Sequence, residues 1–336
     1  GGTATGSAGR LFLEGSTLVV GSDGLRGFSM PDDSGGTISF HSDKVTITKE
    51  KPNIPTDLSF DSDLPVELKG GFILSDDQLE KTGFTHIAIK SYRDLDLQAG
   101  ISITPSYYKL AVPGKENEIG TTSSVRNFNL SDVVCSKDLI TVSSEYIGSS
   151  SFSAKAGEPL TGFQSVDNTL DVHTVKMAEG ASVAVAPGGT IELSGLVVEV
   201  AGALRAPAGE IRITARGVSR DLNLKGTARI ETPGWTIPER SPLAKGLPLG
   251  TRSMDGGTVT LLAKEGNIHV AAGAVINISG TDPIETFVKG ADLSITSVTT
   301  AGAAGNLSLN YFGQLTLDGD LNAQTRLPNV HGASLS

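Results

Sequence analysis

The candidate residues for chemistry in this chain are five histidines, one cysteine and two of its closely spaced aspartate pairs. Asp94 and Asp96 follow Arg93, and Asp61 and Asp63 form the second pair. Two carboxylates at i and i+2 on a strand point to the same side. Such pairs serve general acid–base chemistry or Ca²⁺ binding. In Asp94-Leu95-Asp96-Leu97 the leucines claim the core, so both aspartates are expected to face outward. The competing reading is a solvated polar face that discourages edge pairing, and it is the one adopted. His41, His86, His173, His269 and His331 are dispersed, with no two at the spacing of a zinc site. They read as surface or corner residues. Cys135 has no partner for a disulfide or a metal and reads as a small buried thiol in a strand. No catalytic, cofactor-binding or metal-binding residue is therefore assigned. Tyr107, Tyr108 and Trp235 are the candidate ligand or partner contacts, because exposed loop aromatics can stack on sugars or anchor a protein.

The elements that would carry these residues are short strands. In 188–217 the pairs Ile191/Leu193, Val198/Val200, Leu204/Ala206 and Ile211/Ile213 each put two apolar side chains on one face. Glu192, Glu199, Arg205 and Arg212 point the other way. The separators, Gly195, Gly202 and Ala208-Gly209, are too short for crossover helices and unlike hairpin turns. A path that bends after every short strand closes after about three strands, and the next strand stacks on the first roughly 4.8 Å away. Ile191 to Ile211 gives one coil in 20 residues, the length of a solenoid unit. The pattern returns at Val259/Leu261, Ile268/Val270 and Ile276/Ile278. It returns again at Leu307/Leu309, Leu315/Leu317 and Leu321/Ala323, where Gly319-Asp-Leu-Asn-Ala matches Gly202-Ala-Leu-Arg-Ala. The fold expected is all-β, a right-handed parallel β-helix of about 20 residues per coil.

The N-terminal half is less regular. Thr37–Phe40 and Val45–Thr48 alternate, and His86–Lys90, Leu95–Leu97 and Ile101–Ile103 form another three-strand set with Gly100 at a corner. Ser75-Asp-Asp-Gln78 is a capping box and Gly83 a left-handed stop, which predicts one short helix at 76–82 lying against the solenoid. Two excursions are expected: 104–124, and 233–254 with its four prolines and Trp235. The glycine pairs at 35–36, 70–71, 188–189 and 256–257 lack the helix and Lys-Ser/Thr of a phosphate loop and read as corners. The chain divides into decorated coils, 1–180, and regular coils, 181–336, of one continuous solenoid.

Aromatics make up only 5% of the chain, so a thick aromatic core is excluded and a narrow aliphatic one is required. The formal charge of −10 has no basic cluster within it, which argues against nucleic acid and anionic membrane surfaces. No apolar run is long enough to span a bilayer, and no signal peptide opens the chain. The sequence reads as an internal fragment of a larger protein.

The glycine-pair corners, the G-x-L-x-A runs and the stretch from Asn267 to Gly280 (N-I-x-V-x-x-G-A-x-I-N-I-S-G) resemble filamentous haemagglutinin-like exoproteins. The likeness is clearest over 180–336. It implies a secreted passenger of two-partner secretion at a bacterial surface, with neighbouring solenoid segments as partners and a glycan or protein receptor on a host or neighbouring cell. The paired Asn-Pro motifs of that family's secretion domain are missing; Asn53-Ile54-Pro55 does not match. The expectation is a structural or adhesive shaft segment without enzymatic activity. The alternative is a polysaccharide-binding or polysaccharide-cleaving β-helix. Cleavage would want acids stacked at the coil interval, and from Asp94/Asp96 that interval falls near 114–116, which holds no strand. From Asp61/Asp63 it falls near 81–83.

Overall fold

The computed structural model describes residues 9–21, 25, 28–29, 36–59, 62–105, 108–111, 134–136, 150–161, 173–238, 251–289, 295–328 and 330–336. Within them the alternating segments become three long parallel ladders. The first sheet has nine strands, in chain order Arg10–Glu14, Thr37–Ser42, His86–Ser91, Ser151–Ala156, Thr190–Gly195, Glu210–Val218, Thr258–Glu265, Asn306–Tyr311 and Ser334–Leu335. The second, of eight strands, runs through Val45–Thr48, Leu95–Leu97, Thr174–Met177, Val197–Val200, Leu222–Leu224, Ile268–Val270 and Leu315–Leu317, with Phe72–Ser75 at its N-terminal edge. The third stacks Ser102–Ile103, Ser182–Ala184, Ala203–Arg205, Arg229–Glu231, Val275–Asn277 and Asp320–Asn322. Six coils take one strand from each sheet, and each pairs in parallel with the next. The molecule is a parallel β-helix, whose strand–crossover–strand connections L-residues favour in the right-handed sense.

Inward side chains stack rung upon rung. Ile191 pairs with Ile211, Ile211 with Val259 and Val259 with Leu307. Leu204, Ile230, Ile276 and Leu321 form the matching row in the third sheet. All of them except Leu321, which is 49% exposed, are sealed in a single core. Among the described residues aromatic filling is confined to the N-terminal coils, where the Phe40 and Phe72 rings meet at 5.0 Å.

The corner before the first sheet is a column of glycines. A Cβ on Gly209 would run into the carbonyl oxygen of Gly189, one on Gly257 into that of Gly209, and one on Gly305 into that of Gly257. Only glycine lets these backbones approach so closely. The corner reading of the glycine pairs thereby acquires its physical cause.

The 20-residue interval holds from Ile191 to Ile211, with 23 residues from Val175 to Val198 and 21 from Val183 to Leu204. Elsewhere the interval stretches, 48 residues from Ile211 to Val259, because an excursion is inserted at a corner. The expected loop at 233–254 contains an antiparallel hairpin, Trp235–Pro238 with Thr251–Met254. A second hairpin, Ile284–Lys289 with Ile295–Thr300, leaves the same corner one coil later. The loop expected at 104–124 holds a strand, Tyr108–Ala111, paired with Phe28–Ser29 and Val134–Ser136; 106–107 and 112–124 lie outside the described residues.

The helix forms at Asp76–Glu80 with both capping-box hydrogen bonds in place, and Gly83 has φ +73°. It is more than a decoration. After Thr48 the chain doubles back, so that Phe72–Ser75 pairs with the N-terminal side of Val45–Thr48. The helix then stands where the third sheet would need another strand. The Asp76 carboxylate accepts the Ser102 N–H at 2.8 Å, and Glu80 accepts the Thr104 N–H at 3.2 Å. Side-chain oxygens thus satisfy an edge that would otherwise be unpaired.

Candidate functional site

The two aspartates of Asp94-Leu-Asp-Leu97 have different fates. Asp94 sits one residue before its strand and turns along the stack, where Oδ1 accepts the Thr174 N–H of the next coil at 2.9 Å. The same corner repeats the device. Asp221 Oδ1 accepts from the Asn267 N–H at 3.0 Å and from its Nδ2 at 2.9 Å, and Asn267 Oδ1 accepts the Gln314 N–H at 2.6 Å. Asp94 therefore belongs to a hydrogen-bonded column that zips one coil to the next, and the expected outward pair is corrected to a single outward carboxylate. The signal was in the sequence. Asp94-Leu-Asp-Leu97, Asp221-Leu-Asn-Leu224, Asn267-Ile-His-Val270 and Gln314-Leu-Thr-Leu317 all place a side-chain acceptor before aliphatic–x–aliphatic.

Asp96 does face outward, from the middle of the second sheet. Its rung partner in the next coil is Lys176, followed by Glu199, Asn223 and His269. The offset expectation near 114–116 is overturned, because the chain leaves the coil after Ile103 and rejoins the ladder far downstream. Asp96 and Glu199 are two rungs apart, about 10 Å at the spacing of paired strands, with Lys176 between them. That separation would suit two carboxyl groups flanking a water and a sugar. Both, however, lie beside an amine: Lys44 Nζ is 3.7 Å from Asp96 and Lys225 Nζ is 3.5 Å from Glu199. Each is about one-third exposed, 33% and 34%.

A cleft of about 690 Å³ lies beside this row, between the 49–71 excursion and the second sheet. Thr48, Pro52, Asn53, Leu68, Ile73 and Gln98 line it. Gln98 also borders a smaller depression with Asp96, Lys176 and Ala178. No local pattern marks the cleft, which depends on where the excursion folds back.

Of the other candidates, Asp63 is exposed on the 49–71 excursion and no coil partner stands at 81–83; Asp61 lies outside the described residues. Tyr107 also lies outside them. Tyr108 opens the strand paired with Phe28–Ser29, and its ring is outside the described residues, as is the expected burial of the Cys135 thiol. Trp235 is half-buried at the base of its hairpin, opposite Met254. His86 shares a 2.9 Å contact with Ser151 Oγ, and burial lowers its pKa. His173 packs on Tyr92 with ring centroids 5.8 Å apart, and His269 Nε2 is 3.6 Å from Asp221. His41 is not a surface residue: at 5% exposure it is sealed between two chain segments. Among the described residues no three His, Cys, Asp or Glu side chains group as metal ligands.

No family model, curated protein or solved structure matches the chain.

Proposed function

We propose that the chain is a shaft segment of a large secreted bacterial surface protein, built like the filamentous haemagglutinin-like exoproteins it resembles, with a structural or adhesive role and no catalysis. The observation that carries this reading is the use to which outward polar groups are put. Asp94, Asp221 and Asn267 zip coils together, and Asp96 and Glu199 pair with lysines. Side chains spent on coil-to-coil contacts serve length and rigidity, as expected of a quasi-one-dimensional array. The half-exposed Leu317 and Leu321 of the last rung, 47% and 49%, fit a partner that is itself a coil. Among the described residues no helix is long and apolar enough to cross a membrane.

The cleft beside the Asp96–Lys176–Glu199 row supports a second reading, a polysaccharide-binding surface. A glycan array on the chain, run beside sedimentation at rising concentration, separates the two. The shaft reading expects end-to-end association without glycan retention. Retention abolished by Gln98→Ala, with Asp63→Ala neutral, would move the assignment to a glycan-binding module.

A further inference from the structure

Where the strand Ser151–Ala156 ends, the chain does not turn directly into the second sheet. Gly157, at φ +75°, sends residues 157–161 back across the outside of the stack. The Glu158 N–H donates to Ser91 O at 3.0 Å, one coil back. The Glu158 carbonyl lies 3.0 Å from His41 Nε2, two coils back. Thr161 donates its backbone N–H to Glu14 Oε1 and its hydroxyl to Glu14 Oε2, the latter at 2.8 Å, three coils back. Three coil steps cover about 14 Å, which five extended residues span with little to spare. From the other side, Arg216 holds the Glu158 carboxylate at 2.9 Å and the Ala156 carbonyl at 2.7 Å.

We propose that residues 157–161 are a strap across four coils, and that its grip on the first coil is set by the protonation of His41. The imidazole must donate from Nε2 to satisfy the Glu158 carbonyl. Its Nδ1 then stands 3.6 Å from Glu14 Oε1. Neutral His41 turns a lone pair toward that carboxylate, whereas the imidazolium turns an N–H toward it. Gaining a proton therefore converts a mild repulsion into a charge-assisted contact in a sealed place.

The other charged groups around His41 leave this exchange intact. Lys90, its rung partner, adds positive charge near Glu14. The Glu158 carboxylate is engaged by Arg216, and Asp43, two residues on, by Arg93 at 3.2 Å. Glu14 stays ionised in weak acid, because the Thr161 N–H and hydroxyl hold its carboxyl below the usual range, with His41 and Lys90 adding to this against its desolvation. The grip from Glu14 is present above the usual carboxylate range and lost only in stronger acid. A proton on His41 adds a second hold while Glu14 is still charged.

Hydrogen–deuterium exchange on the full chain tests this directly, since the Thr161 amide is one of the strap's own bonds. After correction for intrinsic rates, protection of Thr161 is expected to be about fivefold to tenfold greater near about pH 5.5 than near about pH 8. The remote strand Thr258–Glu265 should show no such change. His41→Gln keeps a donor for Glu158 but carries no titrating charge, and Glu14→Gln keeps an acceptor for Thr161. Each should remove the pH dependence, so one variant suffices if the other misfolds. Equal protection of Thr161 at both pH values in the unaltered chain, or a pH dependence that survives in either folded variant, overturns the proposal.

Discussion

The Asp94 carboxylate accepts the backbone N–H of Thr174 at 2.9 Å, across a coil boundary and 80 residues along the chain. A side chain chosen for its potential chemistry thus terminates a backbone hydrogen bond. Asp94→Ala should leave that N–H without a partner and destabilise by about 1–3 kcal/mol. Asp94→Asn keeps an oxygen acceptor and should cost clearly less. Urea midpoints of the two variants check the order. On the shaft reading, neither variant nor the parent releases unsaturated sugars from uronate polymers, with or without Ca²⁺.

Leu204 and Ile276 occupy one inward row of the third sheet and are sealed, at 0% and 3% exposure. Leu204→Lys or Ile276→Lys puts an unpaired charge in a narrow dry core and should cost several kcal/mol, about 3–5. Glu199→Lys and Arg205→Glu alter outward residues whose partners, Lys225 and Glu231, are themselves solvated. Each should change stability by less than about 1 kcal/mol. Thermal melts of the four variants should separate cleanly into two pairs.

Asp76 is almost fully buried and accepts from the Ser102 N–H, the Asp77 N–H and Lys49 Nζ. Asp76→Ala should cost about 1–3 kcal/mol for each N–H left dry. The more specific outcome is local, with faster amide exchange at Ser102. Lys49→Ala should leave that amide protected, because Lys49 is 61% exposed and water can replace it.

His86 behaves in the sense opposite to the strap. Burial lowers its pKa, so the folded chain binds this proton less readily than the unfolded one. Its contribution is intact above the ordinary imidazole range and is eroded as pH falls through about 6.5. An NMR titration should find His86 protonating below a free imidazole, and His86→Gln should flatten that part of the acid limb of stability.

The coils were legible in the sequence because burial imposes a period of two on every strand, and the first, second and third sheets repeat it. The capping box at Ser75 and the glycine corners were legible for the same reason: each is local. Partners across coils were not. Asp96 meets Lys176 only because the ladders that carry Leu97 and Ile103 resume as late as Thr174 and Ser182, and the length of an insertion carries no periodic signal. Closing a longer loop costs little extra, about 0.6 kcal/mol per doubling, so nothing in the coil pattern constrains how much chain is inserted. The roles of Asp94 and Asp221 were written in a shared tetrad, but that pattern acquires meaning only once the strands after it are known to stack. The burial of His41 depends on a strap whose residues, Gly157 to Thr161, have no pattern of their own.

That strap divides the molecule mechanically. In the coils beyond Arg216 each turn bonds, among the described residues, to its neighbours, so a pull along the axis from that end would peel them singly, in many small steps at low force. The first four coils are bound together from Glu14 to Ala156 and share the load. They would resist as one body and give way in one larger event, leaving the molecule with a stiff root and an extensible tip.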